Sequence, residues 1–238
     1  FTLEALESGP VFSAGETVGW EQIPLYPSRN RPRLGRATRG KLVTGDGFAE
    51  IDGIRCEIDQ DTGLWRSWRK NGEELLFSPP QLNIWRCPVD NDGLRLRSPR
   101  DDRKVYRKWL ESGYHALECN LIRFQQTSDD QGFSAETIHL GLLKGEPRIK
   151  QETRWKIGAD GVLTHDSIIT VDQDLPDLPR VGMSLMLNPG FEDFTWFGRG
   201  PLETYSDRKS MGWIGKFDST VTDQYVPYIL HQEHGNHT

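Results

Sequence analysis

Two stretches of this chain hold residue types at spacings that could do chemistry. The first is Trp85-Arg86-Cys87-Pro88-Val89-Asp90-Asn91-Asp92-Gly93, where Asp90, Asn91 and Asp92 follow one another behind a proline. Three short polar side chains in tandem can hold a hard cation or the hydroxyls of a ligand. They can equally fold back onto their own backbone and fasten a turn. The spacing is not that of an EF-hand loop, and the turn is the preferred reading. The second stretch runs from Trp196 to Arg208, with Arg199, Glu203, Tyr205, Asp207 and Arg208 close behind the break Gly198-Arg199-Gly200-Pro201. Paired carboxyls are the working groups of glycoside hydrolysis. A general acid needs a raised pKa, however, and neighbouring guanidinium groups favour the charged carboxylate. An ion-pair network that pins a loop is therefore expected. A third cluster, His231, His234 and His237, resembles a ligand set, but Gly235 argues against a shared helix face and the HExxH pattern is absent. No metal site is assigned.

The elements that must carry these loops are strands. Phe48 to Ile51 and Ile54 to Ile58 flank Asp52-Gly53, a hairpin turn, and Gly63 to Arg69 leads to a second turn at Asn71-Gly72. Arg148 to Ile157 and Val162 to Val171 alternate around Gly158-Ala159-Asp160-Gly161, with Ile149, Trp155 and Ile157 on one parity. Arg180 to Asn188 and Phe194 to Phe197 add further strands, and 103–111 is the one helical candidate, with Val105 and Trp109 at i and i+4. Thr17 to Ile23 pairs with an earlier strand around Ser8-Gly9-Pro10. Two strands cannot bury a core alone, so this piece is expected in a sheet completed from upstream. The whole reads as all-β: a large antiparallel β-sandwich with one short helix, over more residues than a seven-stranded immunoglobulin domain needs.

Composition narrows the partners. The 238 residues are 35% hydrophobic and 27% charged, with a net charge of -6, which argues against nucleic acid. No run of about 18 apolar residues is present to span a bilayer, so no membrane is expected. Six basic residues between Arg29 and Lys41 lie among Pro27, Pro32 and Gly35 without aromatic neighbours. They read as a linker rather than a nucleic-acid patch. Cys56, Cys87 and Cys119 are odd in number and lack CxxC spacing, so neither a disulfide framework nor a zinc site is expected, and free thiols fit a reduced compartment. Eight Trp residues supply core packing or surfaces on which sugar rings stack. There is no initiator Met and no signal-peptide pattern, and a chain cut from a longer protein is expected.

The stretches WRCPVDND (Trp85 to Asp92), WFGRGPLETYSDR (Trp196 to Arg208), Asp-Gln-Tyr-Val-Pro-Tyr ending at Tyr228, and Gln232-Glu233-His234-Gly235-Asn236 occur in an order and spacing that resemble the C-terminal domain of glycoside hydrolase family 2 β-galactosidases, the small chain of heterodimeric members. The resemblance covers about 45–238. It implies a supersandwich related to galactose mutarotases. Residues 1–25 resemble the end of the preceding immunoglobulin-like domain, and 26–44 would be the linker. The sandwich would be incomplete at its C-terminus, with exposed core surface and a tendency to self-associate.

The resemblance also implies a parent enzyme that hydrolyses terminal β-D-galactosides such as lactose with retention, through two glutamates on a TIM barrel outside this chain. No catalytic residue is therefore assigned, and the isolated chain is expected to be inactive. Asp90, Asn91, Asp92, Arg199, Glu203, Tyr205, Asp207 and Arg208 are the candidates for positioning loops at the substrate-pocket edge, with Gly93 to Ser98 matching a mobile loop beside the family's active site. The chain itself is expected to hold no cofactor, the parent enzyme Mg and Na. The expected partners are the barrel-containing part, a galactoside and further copies in an oligomer. Other readings are a stand-alone carbohydrate-binding module, a purely structural piece, or an aldose epimerase using His165 as acid and Glu152 as base.

Overall fold

The computed structural model describes residues 1–23, 40–94, 104–129, 132–230 and 232–237. The predicted linker between 26 and 39, most of the loop after Gly93 and His231 lie outside the described residues. The chain divides into two compact units, Phe1–Arg33 with Phe191–Thr238, and Leu34–Gly190.

In the first unit, β1 (Thr2–Glu4) and β2 (Thr17–Trp20) form an antiparallel pair. The second begins with a meander of five strands: β3 (Val43–Gly45), β4 (Phe48–Ile51), β5 (Ile54–Ile58), β6 (Trp65–Lys70) and β7 (Glu73–Glu74). Asp52-Gly53 and Asn71-Gly72 form its tight turns, with positive φ at all four residues, the backbone twist that a two-residue hairpin needs. β8 (Leu76–Asn83) follows, then the helix α1 (Val105–Ser112). The helix starts later than the spacing predicts and ends where Gly113 adopts φ 81, a left-handed stop open to glycine at little cost. Trp109 is buried but Val105 is not, so the predicted i, i+4 pair is not a buried seam.

Four long strands, β9 (Glu118–Asp129), β10 (Gly132–Leu143), β11 (Glu146–Gly158) and β12 (Leu163–Val171), form an antiparallel sheet in chain order. Period two is strict in its centre: Phe133, Ala135, Thr137 and His139 of β10, and Ile149, Gln151, Thr153, Trp155 and Ile157 of β11, are all buried. Phe133, Ala135, Trp155 and Ile157 pack against Ala49, Cys56, Ile58 and Trp65 of the meander. This is the sandwich, two sheets closed over one apolar layer. At the other end of the long sheet, Leu143 and Ile149 pack with Leu82, Ile84, Trp109 and Tyr114. The helix thus plugs the open end of the sandwich.

β13 (Gly182–Leu187) pairs with β8, and the register slips between Met186, opposite Ser78, and Ser184, opposite Gln81. The slip falls on Pro79-Pro80. Proline has no N–H to give the ladder, so a bulge is where a strand tolerates it. β14 (Asp193–Gly200) and β15 (Trp213–Thr220) return to the first unit as a hairpin. There the Gln22 amide donates to the Ile214 carbonyl (2.8 Å) and accepts from its N–H (2.5 Å), and Trp20 meets Trp213 edge-on at 5.3 Å. Among the described residues, fully buried apolar side chains occur only in Leu34–Gly190.

Candidate functional site

In the second unit the chain leaves β8 at Asn83, whose side-chain oxygen accepts the Trp85 N–H at 2.9 Å. Asp90–Asp92 then form one turn of 3-10 helix, closed by Gly93 at φ 89. Asp92 is buried and Asp90 and Asn91 are exposed. The Arg86 guanidinium grips Asp92 with two bonds of 2.7 and 2.9 Å, and the Val89 N–H donates to the same carboxylate at 2.7 Å. Arg86 also donates to the carbonyls of Pro179 and Cys87, and its plane lies over Trp109. Trp109 and Tyr114 in turn donate to the carbonyls of Asp177 and Pro176. Asp92 therefore occupies both carboxylate oxygens in fastening a turn to its neighbours, an arrangement that suits positioning rather than proton transfer.

In the first unit the Trp196–Arg208 stretch spans the end of β14 and the loop beyond it. Trp196 donates from Nε1 to the Arg199 carbonyl at 2.9 Å, stacks on Phe194 and meets the tilted His237 ring at 4.3 Å. Among the described residues, Arg199 bonds no carboxylate. Its Nη1 donates to the carbonyls of Lys209 and Gly212, each at 3.3 Å. Glu203 accepts the Tyr228 hydroxyl and the Gly235 N–H (2.8 Å) and stands 3.7 Å from Arg208. The bond to Glu203 and burial both hold the Tyr228 phenol above its ordinary pKa. Arg208 lies 4.9 Å from the Tyr205 ring centre, and the buried Tyr205 hydroxyl has no hydrogen-bond partner among the described residues. Burial first, then the carboxylates of Glu203 and Glu233, push that phenol well above the usual tyrosine range. Thr204 is fully buried where residues 204 and 237 form a short bridge. Asp207 is exposed.

Spacing alone did not single out Gln224. Its side chain meets His237 Nε2 at 2.7 Å and its carbonyl meets His234 Nδ1 at 3.3 Å. The two histidines serve as struts for the C-terminal segment. Among the described residues no three of His, Cys, Asp and Glu converge as a metal site. The epimerase pair fails on register. His165 stands opposite Trp155 and shares its core face, whereas Glu152 stands opposite Ile168 on the outer face and pairs with Lys150 at 2.9 Å. An acid and a base on opposite faces of one sheet cannot serve one substrate.

The sequence model of the β-galactosidase small chain matches residues 50–238. The chain belongs to the β-galactosidase small-chain family. Both loops lie inside the matched span. Curated relatives extend the likeness to most of the chain. β-Galactosidase 2 of Enterobacter cloacae is 28% identical over 95% of this chain and 22% of its own length. The β-galactosidase of Vibrio cholerae serotype O1 is 28% identical over 96% of this chain and 23% of its own. That of Klebsiella pneumoniae is 30% identical over 93% and 22%. This small-chain domain thus spans less than a quarter of the length of the β-galactosidases that it resembles.

Proposed function

We propose that this chain is the non-catalytic C-terminal part of a retaining β-galactosidase. The reading rests on one observation: the small-chain family covers residues 50–238, while the relatives that are β-galactosidases are four to five times as long as the matched piece. The chain would close over the active site of a barrel-bearing part that supplies the two catalytic glutamates. Excluding water there strengthens every charge interaction at the reacting bond. The Arg86–Asp92 clasp would fix the base of the segment that follows Gly93, and Glu203 with Arg208 would fix the second loop at the pocket edge. No cofactor is assigned to this chain, and Mg and Na would be held by the rest of the enzyme. Terminal β-D-galactosides are the proposed substrates, and the barrel-bearing part and further copies the proposed partners.

Mixing this chain with the barrel-bearing part and assaying a chromogenic β-galactoside tests the reading. Activity that arises only on mixing supports it. Hydrolysis by the chain alone overturns it and returns Glu203 and Asp207 to the list of candidate catalysts.

A further inference from the structure

The first unit has an open cleft of about 790 Å³ lined by residues of β2, the end of β14 and the loop before β15. Its size falls in the range of about 300–1,000 Å³ that takes small-molecule ligands. One wall is Trp20, held edge-on by Trp213 and half-buried. The Gln22 amide bonds both backbone groups of Ile214 and so ties that wall to the hairpin. Arg199 and Lys209 line the same cleft.

Among the described residues, Arg199 donates only to the carbonyls of Lys209 and Gly212. Among the described residues, neither it nor Lys209 forms an ion pair. This sets them apart from Arg55, Arg66, Arg86, Arg148, Arg154 and Arg208, each of which lies against a carboxylate. The guanidinium is nonetheless held in place. A Cβ on Gly212 would stand 2.8 Å from the Thr204 methyl and 3.2 Å from the Gly200 nitrogen. Glycine at 212 therefore lets this loop lie against β14, close enough for its carbonyls to hold Arg199. Glu21 is the one carboxylate among the lining residues, leaving an excess of positive charge.

A positioned guanidinium offers its remaining N–H groups as a fork suited to a carboxylate or phosphate. An indole lining the same cleft suits the apolar side of a ring. We infer that this cleft binds a small anionic, ring-bearing ligand, its charge on Arg199 and Lys209 and its body against Trp20. The inference is independent of the β-galactosidase reading, since the cleft lies in this chain and its test measures binding rather than hydrolysis.

The test is titration of the 238-residue chain with three probes: galacturonic acid, galactose and inorganic phosphate. Galacturonic acid is expected to bind at least tenfold more tightly than galactose, which lacks the charge, and than phosphate, which lacks the ring. Arg199→Gln and Lys209→Gln should each weaken it about tenfold, Trp20→Ala should weaken it similarly, and Glu21→Gln should strengthen it. Lys209→Gln removes charge without touching the carbonyl bonds of Arg199, so it remains informative if Arg199→Gln disturbs the loop. Equal binding of galactose and galacturonic acid, binding unchanged in Lys209→Gln, or no binding of any probe overturns the inference.

Discussion

Arg86 and Asp92 face each other fork to fork across the turn at Pro88, with bonds of 2.7 and 2.9 Å between the two planar groups. Both side chains are largely shielded from solvent, and the carboxylate also takes the Val89 N–H. Removing one partner leaves a shielded charge without its match, which costs more than a surface ion pair is worth. Asp92→Asn is expected to lower the unfolding free energy by about 2–3 kcal/mol. Arg86→Lys should lower it too, because a point charge cannot make the paired bonds. Urea unfolding followed by tryptophan fluorescence measures both. A loss below about 0.5 kcal/mol in Asp92→Asn, the scale of an ordinary surface substitution, would show that the clasp does not hold the turn.

Much of the sandwich was legible because one physical signal sufficed for each piece. Asp52-Gly53 and Asn71-Gly72 name their own turns, since few other residues accept positive φ at low cost. Ile149, Trp155 and Ile157 named the core face of β11 by parity. The hairpin of β10 and β11 was less visible because its turn is Lys144-Gly145, with φ 53 at the lysine, and lysine is not a turn signal. β8 was hidden by Pro79-Pro80, which reads as a break until the bulge opposite β13 accommodates it. The loops were legible as motifs but not as bonds. No spacing rule says that Arg199 would prefer two carbonyls to Glu203, or that Tyr228 and Gly235 would take its place. Those choices depend on contacts between residues distant in sequence.

Glu74 makes the sandwich sensitive to acid. Burial works to raise its pKa, but the Ser67 hydroxyl and the N–H groups of Trp68 and Leu76 outweigh burial and hold it below the ordinary value. A carboxylate with a depressed folded-state pKa contributes stability that is present above its unfolded value, about 4.3, and is lost as pH falls through the folded one. The urea midpoint should therefore fall below pH 4.5 by more in the parent chain than in Glu74→Gln. Parallel pH profiles of the two proteins would sink this account.

Cys56 lies on the core face of β5 and is buried, while Cys87 is exposed. Burial, aided by the Glu74 charge, pushes the Cys56 thiol up to about 11. The thiolate is the reactive species, and here both access and ionisation oppose it. With a thiol reagent at pH 8, Cys87 should be labelled in the native chain and Cys56 only on unfolding in guanidinium. Labelling of Cys56 at the rate of Cys87 in native conditions would show that the two sheets part readily.

Glu203 tests whether the second loop positions or catalyses. Its carboxylate gathers the Tyr228 hydroxyl, the Gly235 N–H and, at 3.7 Å, Arg208. Those partners lie on three separate turns of the chain, so Glu203 is the knot that joins the loop after β14 to the C-terminal segment. Glu203→Ala should speed amide hydrogen exchange at Gly235 at least tenfold and leave the β10 and β11 amides of the other unit unchanged. If the chain is assembled with its barrel-bearing part, Glu203→Gln should reduce kcat less than tenfold, because the glutamine oxygen still accepts the Gly235 N–H while its Nε2 can donate to the Tyr228 oxygen. Loss of a general acid costs about 10²- to 10⁴-fold. A fall of that size, together with unchanged exchange at Gly235 in Glu203→Ala, would make Glu203 a catalyst rather than a knot.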